Sequence, residues 1–181
     1  ESIPLTESGA ELLSRLADGA LRDALSLLDQ CAAAGGNLDA QAVLDTLGLA
    51  GGLQTVKLLE TILQRDAQAA LLQLNELYQG GKDIGAVLGE LSTLVRDLLL
   101  RKTAPQGCAA LLSGSFDAET LERLCQGQST QRFLYLSATL QKCAADLYYS
   151  ANRRTDAELC LLRLCDEGLS GDLAALTATV R

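Results

Sequence analysis

The 181 residues carry 15 lysines and arginines against 23 aspartates and glutamates, a net charge of −8, and include no histidine. An acidic surface repels phosphate backbones, so the chain's general field does not hold DNA or RNA. Without histidine, neither a Ser-His nor a Cys-His nucleophile system is available.

Hydrophobic residues make up 48% of the chain, aromatics only 3%, and there are two prolines. An apolar share built on leucine and alanine favours helices over sheets, so the expected fold class is all-α. Residues 6–17 place Leu12, Leu13 and Leu16 on one side at helical spacing. Gly19 breaks that register, and a second helix over 20–33 is expected to turn Leu21, Ala24, Leu25, Leu28 and Ala32 inward. Glycines at 35 and 36 end it. Asp39 is placed to cap a third helix that stops at Gly48. These three short helices are expected to form one unit over residues 1–50, bounded by the small-residue joint GLAGGL (48–53).

Beyond the joint the helices lengthen. A fourth, over 53–65, repeats Leu53, Val56, Leu59 and Ile62 or Leu63. Asp66 caps a fifth that ends at Gly80-Gly81, and Asp83 opens a long one with Val87, Leu91, Leu94, Val95 and Leu98 on a single face. Residues 103–115 read as a long connection containing a short helix. Asp117 caps the next helix, and residues 130–150 make the longest candidate. Thr155 and Glu158 have the spacing of a capping box that opens the last helix. No strand pattern competes.

The six cysteines (Cys31, Cys108, Cys125, Cys143, Cys160, Cys165) form no CxxC pair. They read as reduced, structural thiols of a cytoplasmic protein, with no metal ligand set. No glycine-rich phosphate loop is present, and the carboxylates lie at caps and on solvated faces, so no catalytic residue is expected in this chain. The opening ESIPLTESGA has no signal-peptide pattern, and no apolar stretch reaches the roughly 18 residues that cross a bilayer. A leucine-rich chain with no methionine that opens on Glu1 is expected to be a piece of a longer protein.

One residue stands apart. In GALRDALSLLDQ (19–30), Arg22 lies in the first turn of a helix, where free amides and the helix dipole favour an anion. A guanidinium there can fork onto phosphate oxygens. Its helix-face neighbours Leu25 and Ser26 are uncharged, and Asp29 is two turns away. Pairing with Asp18 or another acid, or simple exposure to water, stays open on the residues alone.

The same stretch, through Arg22, Asp23, Ala24, Leu25, Ser26, Asp29 and Gln30, resembles the sensor-2 helix of the bacterial DNA polymerase III γ/τ family, the AAA+ motor of the sliding-clamp loader. The following helix ending in Leu47-Gly48, and a late Arg154-x-x-x-Glu158, extend the resemblance. It implies a three-helix AAA+ lid over 1–50 and a helical-bundle collar over 51–181. Arg22 would then be the sensor-2 arginine, contacting the γ-phosphate of ATP held by an ATPase domain this chain lacks. The chain would have no ATPase activity of its own. The collar would assemble with other γ/τ, δ and δ′ subunits, and the sliding clamp and primer-template DNA would be met through the full complex, with no membrane partner. The alternatives are a free-standing helical adaptor or scaffold, and the lid and C-terminal region of another AAA+ ATPase.

Overall fold

Polar side chains start seven of the nine α-helices found among the residues that the computed structural model describes, 3–106 and 108–166. Thr6, Asp39, Asp66, Asp83, Asp117, Ser129 and Asn152 each accept a hydrogen bond from a backbone amide of the first turn they cap. The helices are α1 (Glu7–Leu16), α2 (Leu21–Ala34), α3 (Ala40–Thr46), α4 (Gly52–Leu63), α5 (Ala67–Gln79), α6 (Ile84–Thr103), α7 (Ala118–Cys125), α8 (Thr130–Tyr148) and α9 (Arg153–Cys165). A single 3-10 turn, Cys108–Leu111, lies in the connection after α6. The described residues contain no sheet; one isolated parallel bridge joins Leu5 to Leu38.

Two apolar cores form, and they share no residue. The smaller gathers Leu13 of α1, Cys31 of α2, Leu38 just before α3 and Val43 within it, with Leu27, Leu28 and Ala32 packed against them. Its helices meet closely because Gly9 faces the Leu38 carbonyl, where any added Cβ would collide with backbone. That approach is stitched by Thr6 N to Leu38 O (3.1 Å) and Leu38 N to Pro4 O (2.7 Å). The larger core is built on α6, whose Val87, Leu88, Leu91, Leu94, Val95 and Leu98 are buried. Around it α4, α7, α8 and α9 pack directly, and α5 closes the far side against α4 and α9. Leu58, Leu59, Ile62, Phe133, Leu136 and Leu161 fill the interior. Full burial of each such side chain contributes about 1.5–3 kcal/mol.

Three sequence expectations need correction. Leu21 and Leu25, placed on the inner stripe of α2, are 73% and 51% exposed, and Cys31 takes the inner position instead. Leu53, read as the first core position of α4, is 89% exposed, while Thr55 and Leu58 are buried. The rest of each stripe packs as expected, Leu28 and Ala32 on the smaller core and Val56, Leu59 and Ile62 in the larger one. The misplaced leucines lie near the helix starts, where packing selects among apolar residues spread widely round the helix. The last helix starts at Arg153 rather than at the expected capping box. Asn152 Oδ1 accepts from Thr155 N (3.2 Å), which puts Thr155 inside the first turn, and Glu158 accepts from Arg154 Nε (2.9 Å). This helix ends at Cys165, where Asp166 N bonds back to Leu162 O.

Candidate functional site

Chain direction reverses between α1 and α2 through Asp18 and Gly19, both at positive φ (47° and 80°). Ala20 N bonds back to Ala17 O (2.8 Å), so α2 emerges directly from the turn. Its N-cap is Ala20, which has no side-chain oxygen, so no side chain caps the first amides of α2. Arg22 stands in that turn, exposed. Its backbone carbonyl accepts from Ser26 Oγ (2.9 Å), but its guanidinium has no ion pair or hydrogen bond among the described residues. Asp18 does not pair with it. Of the plain alternatives, a local ion pair is absent among the described residues, and exposure to water is what the fold shows. Leu21, Arg22, Leu25, Ser26 and Asp29 together make an outward face in which an unpaired cation lies among exposed apolar side chains.

Behind this helix, residues 45–51 join the small unit to the large one. Gly48 O accepts from Asp83 N (3.0 Å), and Asp45 Oδ1 accepts from Lys82 Nζ (2.7 Å). Lys82 is almost wholly covered while Asp45 stays exposed. The Lys82 ammonium, and secondarily the Gln41 amide, hold the Asp45 carboxyl below its usual range. Glu90 of α6 accepts from Ala50 N (2.8 Å) through Oε1, and from Gly51 N (3.0 Å) and Thr55 Oγ1 (3.0 Å) through Oε2. Gly51 has φ +85°, a left-handed backbone that suits glycine. A cleft of about 420 Å³ opens beside the joint, with Leu12, Leu16 and Leu44 on one wall and Ala86, Thr93 and Phe116 on the other. Sequence reasoning missed Glu90; its one signal is a glycine-rich joint whose bare amides need an acceptor.

Two further polar groups organise the bundle. The Arg132 guanidinium, buried at the start of α8, donates to Leu164 O (2.5 Å) and Ile62 O (3.4 Å), tying together the C-terminal ends of α9 and α4. Cations are favoured there by the helix dipoles. On the outer face, Arg154 donates to Glu158 and to Asn75 Oδ1 (3.1 Å) and lies over the Tyr78 ring, 5.0 Å from its centroid. The Arg154-x-x-x-Glu158 spacing is thus a real i,i+4 pair.

All six cysteines are free and buried. Burial pushes the thiols of Cys31, Cys125 and Cys165 up. No cluster among the described residues could hold a metal ion. No described helix is long and apolar enough to cross a membrane.

Comparison with known proteins meets this geometry at both units. Residues 1–37 match the family described as DNA polymerase III clamp loader subunit, ATPase lid domain, and residues 38–176 match DNA polymerase III subunits gamma and tau domain III. The chain is 31% identical over 166 residues to DNA polymerase III subunit tau of Bacillus subtilis, covering 91% of this chain and 29% of that protein. It is 32% identical over 166 residues to the tau subunit of Salmonella typhimurium and 30% over 154 residues to that of Escherichia coli, covering 84% of this chain and 24% of each relative. The chain therefore spans less than a third of the length of each of these relatives. With a lid match on the helices that carry Arg22 and a domain III match on the rest, the chain belongs to the DNA polymerase III γ/τ family.

Proposed function

We propose that the chain is the lid and collar of a clamp-loader subunit, with the lid over 1–50 and the collar over 51–181, and that Arg22 senses ATP bound to an ATPase domain outside this chain. The observation that carries the reading is the Arg22 guanidinium, unpaired among the described residues at the uncapped start of α2. The bare first-turn amides and the unpaired fork offer donors only, which fits a phosphate. Beside them, the exposed Leu21 and Leu25 give an apolar face on which a separate domain can seat. Extending the lid to residue 50 is supported by α3, which packs on α1 and α2 through Val43.

ATP supplies a terminal phosphate that is present before hydrolysis and gone after it. Arg22 binds differently in the two states, and that differential affinity is what shifts the lid between orientations. The helical bundle serves as the assembly surface toward other γ/τ, δ and δ′ subunits, and the sliding clamp and primer-template DNA are engaged by the complete loader in the cytoplasm. The net charge of −8 suits protein contacts better than direct DNA contacts. Family membership weighs against a free-standing adaptor and against another class of AAA+ protein.

The test is Arg22→Ala in the full-length subunit, reconstituted with its partner subunits. Assembly on size-exclusion chromatography and the thermal melt are expected to stay as in the wild type, within about 0.5 kcal/mol for an exposed residue. ATP-dependent clamp loading is expected to fall by about tenfold or more, the loss of one charge-assisted contact. Unchanged loading removes Arg22 from the nucleotide site, and failure of the wild type to assemble removes the collar reading.

A further inference from the structure

We infer that Glu90 is a positioning residue that fixes the angle of the lid on the collar, so that the joint at 48–51 behaves as a stiff elbow rather than a swivel. This rests on the lid and collar reading above for its consequence, since the angle decides where Arg22 stands relative to the assembled collar. The elbow itself stands on geometry alone.

The lid and the bundle have separate cores, so no shared apolar interior fixes their relative placement. Lid helices make little direct contact with bundle helices, and a cleft of about 420 Å³ lies between the walls that face each other. What spans the joint is polar and sits on the chain itself. Asp45 is held by Lys82, Gly48 O by Asp83 N, and the amides of Ala50 and Gly51 by Glu90. The first two anchors lie at the start of α6. Glu90 lies about two turns further along the same helix, roughly 10 Å on. The joint is thus laid along one rigid element and fastened at both ends.

Glu90 is the strongest of these fastenings. One carboxylate takes two backbone amides and the Thr55 hydroxyl, which is itself buried. Its charge sits at the N-terminus of α4, whose cap Gly51 has no side chain, so the dipole adds to the hydrogen bonds. The positive φ of Gly51 (85°) sets the backbone whose neighbouring amides Glu90 takes. Without Glu90 those amides have no acceptor, and the joint is left fastened only at its Asp45 and Gly48 end, beside the open cleft.

A cap that merely stabilised α4 would change helix stability and leave the lid angle alone. The experiment separates the two in this chain without nucleotide. Spin labels are placed on exposed positions of α2 and α8 by Gln30→Cys and Lys142→Cys, and pulsed dipolar distances are measured with Glu90 intact, with Glu90→Ala and with Glu90→Gln. The native joint is expected to give one narrow distance. Glu90→Ala is expected to broaden it, with the Ala50 and Gly51 amides exchanging hydrogen about tenfold to a hundredfold faster, as loss of a charge-assisted hydrogen bond implies. Glu90→Gln, which keeps one accepting oxygen and the helix intact, is expected to fall between. A broad native distance overturns the elbow. So does an unchanged distance in Glu90→Gln together with faster exchange at 50 and 51, and this second variant decides if Glu90→Ala does not fold. Because no ATP is involved, failure here leaves the Arg22 reading standing, and failure of Arg22→Ala leaves the elbow standing.

Discussion

A few residues in this chain are set apart by what their charges touch. Arg132 and Arg22 are both helix-start arginines, yet one is buried against two helix ends and the other has no partner within the described residues. Both stand in the first turn of a helix, and the fold decides which guanidinium is spent on structure. Exposed carboxylates are likewise sorted by partner. Asp45 is held below the usual carboxylate range by Lys82, and Asp117 by the backbone amide and then the hydroxyl of Thr120. A carboxyl whose folded value is depressed adds stability above its unfolded value, near pH 4, and loses it as the pH falls through the folded one. The Tm of Asp45→Asn and of Asp117→Asn is therefore expected to lie below that of the wild type at pH 6. The gap is expected to close below about pH 4, as followed by circular dichroism. A gap that widens in acid contradicts the assignment.

The helices were largely legible in the chain because their starts are written locally. Asp39, Asp66, Asp83 and Asp117 cap the helices expected of them, with amide contacts of 2.7–2.9 Å. Where a start was misplaced, at Thr155, two chemically good caps stood three residues apart and the upstream Asn152 took the role. Helix faces were less legible. Leu21, Leu25 and Leu53 continue an apolar stripe as well as their buried neighbours do, and only the surrounding helices show that they face outward. The connection after α6 hides its own anchor: the fully buried Asp97 takes Ser113 N through Oδ1 (3.1 Å) and Oδ2 (3.2 Å) and Ser113 Oγ through Oδ2 (2.5 Å). Asp97→Ala leaves the part-buried Ser113 donors without their acceptor and is expected to cost about 1–2 kcal/mol in urea unfolding. Asp97→Asn, which still accepts from Ser113 N, is expected to cost less. Equal losses in the two variants would mean that packing, not hydrogen bonding, holds this connection.

At the scale of the whole molecule, two cores of unequal size are joined by a hydrogen-bonded elbow. The smaller core is centred on only four buried residues, Leu13, Cys31, Leu38 and Val43, whereas the bundle core runs through α4 to α9. Small cores bury too little surface to match the stability of large ones, and the two cores share no apolar residue. Unfolding is therefore expected in two steps, the smaller unit first, with amides of α1–α3 exchanging at lower denaturant than those of α6 and α8. Val43→Ala is expected to shift only the first step, by about 2 kcal/mol. A single transition moved as a whole would show the cores to be one cooperative unit.

By itself the sequence determined the all-α class, most helix starts and the family, because leucine and alanine content, capping residues and the ordered run from Arg22 to Gln30 are local properties of the chain. Tertiary structure alone decided which leucines face water, that Arg132 is spent on helix ends while Arg22 has no partner among the described residues, and that Glu90 holds the joint. Those outcomes depend on groups far apart in sequence, 39 and 40 residues for Glu90 and its two amides, that only packing brings within hydrogen-bond reach.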